Sequence, residues 1–235
     1  AHGELFGTDG GWPWPYIIVS LLPGQSIGEV QIDRADMEAI VNWLAPVLRR
    51  IHLLPGEYTA TLKPEWAQFE QFIAQQQANL IEQHAAWRSL PAHLAAQLPA
   101  FAQETVRLPT NQAPLLIHAD LNQDHVLVTE RDGHWLPTGI IDFGDARVGD
   151  LAYELVALHL GLFQADKHLL QVFLDAYGVP AQERPTLLQQ AMRMTLLHEF
   201  NVVGPLFERW PAARALPSLH ALGEALWNPA TPELM

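Results

Sequence analysis

Apolar positions recur along this chain in two rhythms. Across 33–52 they fall at Met37, Ile40, Val41, Leu44, Val47, Leu48 and Ile51, the three-and-four spacing of one helix face. His52-Leu-Leu-Pro55 closes that helix. Residues 64–105 are rich in Ala, Gln, Leu and Trp, with breaks at Pro91 and Pro99, and predict two or three helices. Further helices are predicted over 150–177 and 182–209, parted at Gly178-Val-Pro180. The second rhythm is a set of short apolar runs. Residues 16–22 read as a strand ended by Pro23-Gly24, with a hairpin turn at Gly7-Thr-Asp-Gly-Gly11 before it. Leu115–Ile117, 126–129 and 138–141 are three more strands, the last two joined by an Asp132-Gly133 turn. The pattern is that of an α+β protein, mostly helical, with short β-hairpins.

Composition narrows the class. With 235 residues, 49% of them hydrophobic, the chain can bury a sizeable core as one large domain or two small lobes. Its longest apolar run, 17–22, is strand-sized, so no membrane partner and no signal peptide are expected. Zero cysteines exclude disulfides and thiolate metal sites, which suits a cytoplasmic protein. A net charge of -13 and the lack of a basic stripe argue against nucleic acid. The same charge would draw a cationic small molecule into an acid-lined cleft, although many soluble proteins are acidic for solubility alone.

Candidate chemistry sits in 115–154. His118-Ala-Asp120 leaves a buried strand, and Asp142 ends the following hairpin, so both aspartates should face one cleft. Phosphoryl transfer requires mainly the placement of a hydroxyl nucleophile, magnesium and phosphate oxygens. Asp120 would accept or orient the proton of the attacking hydroxyl, and Asp142 would hold Mg2+ bridging the phosphates of ATP. Singly, each piece has a plainer meaning: a polar loop at His118 to Asp120, a turn at Asp142-Phe-Gly, a helix cap at Asp150. Three such pieces in order carry the argument. Gly7 to Gly11, by contrast, lacks the spacing and lysine of a phosphate loop.

His118-Ala-Asp120 to His125, Ile141-Asp142-Phe-Gly-Asp145 and Gly149-Asp150-Leu-Ala-Tyr153-Glu154-Leu155 together resemble the aminoglycoside phosphotransferase family. That branch of the protein-kinase-like fold includes hygromycin, choline, homoserine and methylthioribose kinases. The resemblance implies an ATP-dependent phosphotransferase acting on a hydroxyl of a small molecule, with an aminoglycoside-type antibiotic as one candidate. It implies Asp120 as the catalytic residue, Asp142 as a metal ligand, and His118 and Asp150 as supports. Asp150 would cap the helix and accept bonds from the catalytic loop. The family's asparagine is replaced here by His125, whose nitrogen suits manganese or zinc better than a hard oxygen site does. His125 is open to three roles: second metal, phosphate, or structure.

In that family the 16–22 strand and Leu22-Pro-Gly24 correspond to the hinge, with backbone groups of Ser20 and Leu22 gripping adenine. The implied division is 1–30 as the end of an N-terminal lobe with the hinge, and 31–235 as the helical C-terminal lobe. The catalytic loop would be 115–129 and the metal-binding segment 138–150. The only lysines, Lys63 and Lys167, follow the hinge, so the phosphate-holding lysine of an N-terminal lobe is missing and that lobe is expected to be largely absent. Two other readings remain: a catalytically incompetent relative that binds a small molecule or partner, and a metal-dependent hydrolase using Asp120, His125 and Asp142. Specificity would reside in 55–110 and 155–235, where His198, Glu199 and Asn201 cluster in a predicted helix. His52 is expected to pack and Glu199 to face water.

Overall fold

A computed structural model describes residues 2–5, 14–55 and 62–232. The chain opens with β1 (His2–Leu5) and β2 (Trp14–Ile17), paired antiparallel with His2 opposite Ile17. The turn expected at Gly7 to Gly11 lies outside the described residues. A short β3 (Gln25–Ser26) leads to α1 (Arg34–His52), α2 (Trp66–Trp87) and the single turns α3 (Ala92–Ala95) and α4 (Leu98–Phe101). The site strands follow: β4 (Leu115–Ile117), β5 (Val126–Arg131), β6 (His134–Ile140) and β7 (Arg147–Gly149). The rest is helical: α5 (Leu151–Val156), running on as a π-helical stretch over Ala157–Leu162, then α6 (Lys167–Tyr177), α7 (Arg184–Leu197), α8 (Val203–Arg209) and α9 (Leu219–Trp227).

Helix α1 forms where the periodicity places it. Asp33 caps it, accepting the Asp36 N–H at 2.8 Å. Ile40, Val41, Leu44 and Leu48 are fully buried on the stripe that packs against α6. Each contributes roughly 1.5–3 kcal/mol by leaving water, so this face outweighs the cost of Pro46 inside the helix. The core runs from α1 through β4 and β5 into α5, α6, α7 and α9.

Two small antiparallel sheets aim the site. In one, β5 lies between β3 and β6, and the β5–β6 turn has Asp132 and Gly133 at positive φ (55° and 82°), the form that an Asp-Gly pair favours. In the other, β4 pairs with β7, with Leu115 opposite Gly149. A side chain at Gly149 would come within 2.9 Å of the Phe69 ring and the Ile117 Cδ1, so only glycine lets β7 lie between α2 and β4.

Three expectations change. The strand expected over 16–22 ends at Ile17, and no strand pairs with 18–24 among the described residues. Ile18, Val19 and Leu21 are 63%, 71% and 96% exposed, so an apolar run without a facing layer does not become a buried strand. The helix expected over 150–177 breaks at 163–166, where Gln164 and Ala165 take left-handed backbone (φ 52° and 59°). The helix expected over 182–209 opens at 198–202, where the buried His198 turns its ring to the Ala119 carbonyl.

Candidate active site

Strand β4 delivers His118, Ala119 and Asp120 to the interior end of the cleft. His118 is fully buried, and its Nε2–H donates to the Ile141 carbonyl at 2.9 Å. The bond ties the segment after β4 to the residue that follows β6. Ala119 sits in left-handed backbone (φ 71°), a conformation that costs a non-glycine residue on the order of 1–3 kcal/mol and needs outside help to persist. Both of its polar groups receive it. The N–H donates to Glu154 Oε2 at 2.7 Å, and the carbonyl accepts from His198 Nε2 at 3.2 Å.

Those two partners are themselves held. Glu154 is fully buried, with Oε1 facing His52 Nε2 at 3.5 Å, while His52 Nδ1 lies 2.8 Å from the Tyr177 hydroxyl. Burial pushes the Glu154 carboxyl up, but the His52 contact and the Ala119 N–H together hold it below the usual carboxylate range. His198 stacks on Tyr153 at 4.7 Å, and burial drives its pKa down to about 4 despite the bond to Ala119, leaving a neutral ring. Its Nδ1 accepts from the Phe200 N–H at 3.3 Å, which fixes the Nε2–H tautomer. His52 is thus a buried link between α1, α5 and α6.

Asp120 follows this strained residue. Burial pushes its carboxyl up, while His125 and a 3.3 Å bond from Asn122 Nδ2 pull it down. His125 Nδ1 lies 2.6 Å from the Asp120 backbone carbonyl, which can only accept, so that nitrogen carries the proton. Its Nε2 then faces Asp142 Oδ2 at 3.5 Å. Asp142 has left-handed backbone (φ 62°) and a side chain 61% exposed, and it accepts the Gly144 N–H at 3.4 Å.

The donor set fits a divalent cation held by one carboxylate and one imidazole, with the remaining positions open to phosphate oxygens and water. Among the described residues, no group of three or more His, Asp or Glu side chains is placed to hold a metal by itself.

Asp150 accepts the Ala152 N–H at 2.9 Å and so caps α5, as expected. Its second oxygen takes the Gln190 amide, and the bond to the catalytic loop comes from Glu154 instead. The longer glutamate, one turn into α5, reaches the loop that the capping aspartate does not. Ser20 lies on the exposed stretch ahead of Pro23, and Leu22 packs on Gly139 of β6. Lys167 is buried, its Nζ on Thr231 and the Pro232 carbonyl. Glu199 is not a free surface carboxylate: it pairs with Arg147, whose guanidinium lies 4.1 Å over the Phe72 ring. The roles of His198, Tyr153 and Arg147 had no signal in sequence spacing, whereas Glu154 could have been suspected as an acid in the apolar stretch Leu151 to Leu155.

Comparison with known proteins matches residues 2–188 to a model described as the phosphotransferase enzyme family. Aminoglycoside 2'-phosphotransferase-IIIa, solved as a GDP complex, superposes with a TM-score of 0.61 at 22% identity, covering 95% of this chain and 72% of that one. Aminoglycoside-3'-phosphotransferase of type VIII gives 0.54 at 20% identity, with 80% and 70% covered. Macrolide 2'-phosphotransferase type I gives 0.53 at 19%, with 94% and 69% covered. At these identities the likeness speaks for a shared kinase-like fold. Among curated sequences, lysine-specific demethylase JMJ21 of Arabidopsis thaliana is 24% identical over 282 residues. That match takes in 96% of this chain, which spans only 30% of the relative's length.

Proposed function

The chain belongs to the phosphotransferase enzyme family, and from that premise we propose that it transfers the γ-phosphate of ATP to a hydroxyl of a small molecule. The acceptor O–H attacks the γ-phosphorus, a new O–P bond forms as the bond to the β-phosphate oxygen breaks, and ADP leaves with that electron pair. Asp120 takes the proton. Its partial burial makes it a better proton acceptor than a surface carboxylate, and Asn122 orients one of its oxygens. Asp142 and His125 would hold Mg2+, which supplies neutralising charge between the phosphates. His118 and Glu154 keep the loop in place, and Asp150 caps the helix that carries Glu154. Backbone groups at Ser20 and Leu22 are proposed to meet adenine. On this reading 1–30 is the hinge side and 31–235 the helical lobe, with the catalytic loop at 115–129 and the metal-binding segment at 138–150.

One observation carries the reading: a half-buried carboxylate, raised by burial, next to a strained residue that is anchored on both polar groups. Asp120→Asn in the full-length protein should lower phosphoryl transfer roughly 10²–10⁴-fold, the scale of lost general-base catalysis, and leave nucleotide affinity unchanged. ADP release and nucleotide calorimetry measure the two. A variant that keeps most of its turnover would refute the role. Nucleotide binding without transfer to any acceptor would favour a non-catalytic relative.

A further inference from the structure

A cavity of about 850 Å³ opens directly beside the catalytic loop. Gln123, three residues past Asp120, lines it, and the Gln123 carbonyl is held by the Gly28 N–H at 3.1 Å. The left-handed turn at Gln164 and Ala165 also lines it. Two consecutive non-glycine residues in that region are costly, and such strain is typical of places where a side chain must be delivered to a ligand. Here the turn brings the Gln164 amide onto the Gln123 amide, Nε2 to Oε1.

This pair has a defined recognition chemistry. Each carboxamide has two N–H donors and one acceptor oxygen, and one donor and one acceptor are used between them. Whichever way the two amides are oriented, that bond leaves over an NH2 group on one glutamine and a carbonyl on the other. Adjacent hydroxyls of a polyol, each both donor and acceptor, match that surface. An ammonium group, which can only donate, matches half of it.

Charge points the same way. The protein carries a net charge of -13, but the cavity does not. Its acids are Asp33 and Asp166, and both are committed: Asp33 caps α1, while Asp166 caps α6 through the Leu169 N–H at 3.0 Å and pairs with Arg34 at 3.4 Å. Arg34 and Arg209 balance them, Arg209 lying 5.1 Å from the Trp210 ring, an apolar platform on the same wall. A polycation would meet two carboxylates already offset by two guanidinium groups.

We propose that this cavity binds the phosphate acceptor and that the acceptor is a sugar-like polyol without positive charge, its neighbouring hydroxyls gripped by Gln123 and Gln164. The inference rests on the phosphotransferase reading above and narrows its substrate class. The test is ADP release by the full-length protein with MgATP against three acceptor sets: neutral sugars and inositols, sugar acids such as gluconate, and polycations such as kanamycin. Neutral or acidic polyols should be turned over with kcat/KM at least tenfold above kanamycin. Gln164→Ala should raise the acceptor KM about tenfold, the scale of a lost hydrogen bond, with the ATP KM unchanged. Arg209→Glu, which adds negative charge without touching the strained turn, should shift preference toward the polycation. Preferred transfer to kanamycin that depends on Asp120 would overturn the inference while leaving phosphotransfer standing. Polyol turnover with an acceptor KM indifferent to both variants would place the acceptor elsewhere and overturn it too. ADP release that responds to no acceptor class and is unchanged by Asp120→Asn removes the phosphotransferase reading and this inference with it.

Discussion

The two aspartates of the cleft live in opposite surroundings. Asp120 follows a loop locked from below, with Ala119 bonded to Glu154 and His198, and Glu154 in turn set against His52 and Tyr177. Asp142 stands 61% exposed on a short turn with one long backbone bond. On the proposed roles, each setting has its own use. A proton acceptor must be placed to a fraction of an ångström, which only a packed body provides. A carboxylate meant for a hydrated cation needs open space and gains little from rigidity. The buried half should therefore carry stability as well as function, and the open half function alone.

Breaking the buried half gives the largest expected effect. Glu154→Ala leaves His52 and the strained Ala119 N–H without their partner and should cost about 3–5 kcal/mol, the range for stranding one member of a buried pair. Urea unfolding reads this directly, and a loss below about 1 kcal/mol would mean that the anchor is dispensable. Next comes pH. Burial lowers the His159 pKa to about 4, outweighing its bond to the Leu226 carbonyl. The unfolded state then binds more protons than the folded one between about 6.5 and 4, so stability is full above pH 6.5 and falls as pH drops through that window. His159→Gln should flatten part of that slope, by on the order of 2 kcal/mol. An unchanged slope would assign the acid sensitivity to other groups.

Asp150 runs the other way, because burial raises its carboxyl to about 6. A raised pKa favours the folded state at low pH, and the gain is lost as pH climbs from about 4 through 6. Asp150→Asn should remove this opposing component while keeping an N-cap. Asp150→Ala should cost about 1 kcal/mol at neutral pH through the lost cap. The smallest effect belongs to the open half. Asp142→Ala should shift stability by no more than about 0.5 kcal/mol in a thermal melt while weakening metal-dependent nucleotide binding. A large destabilisation there would erase the contrast between the halves.

The same contrast explains what could be read in advance. Helix α1, its Asp33 cap and the Asp132-Gly133 hairpin were legible because each depends on residues within one or two turns of chain. Asp120, Asp142, His118 and His125 were singled out by local spacing, and the folded chain places them near one another. The support of the loop was assigned to Asp150, which could be recognised as a cap, while Glu154 took that bond because its longer side chain crosses to a strand more than thirty residues away. The strand expected at 16–22 stops at Ile17 for a related reason: among the described residues the pairing with β1 reaches His2 opposite Ile17 and goes no further.

By itself, the sequence determined the periodicities, the caps and turns, and the order of the chemical residues, all of which follow from backbone geometry and short-range hydrogen bonding. Only the tertiary structure decided which buried acid holds Ala119, that His198 leaves its helix to meet the same residue, and that two glutamines 41 positions apart become one surface. Those are outcomes of packing, where a buried polar group takes whichever partner the folded core brings within reach.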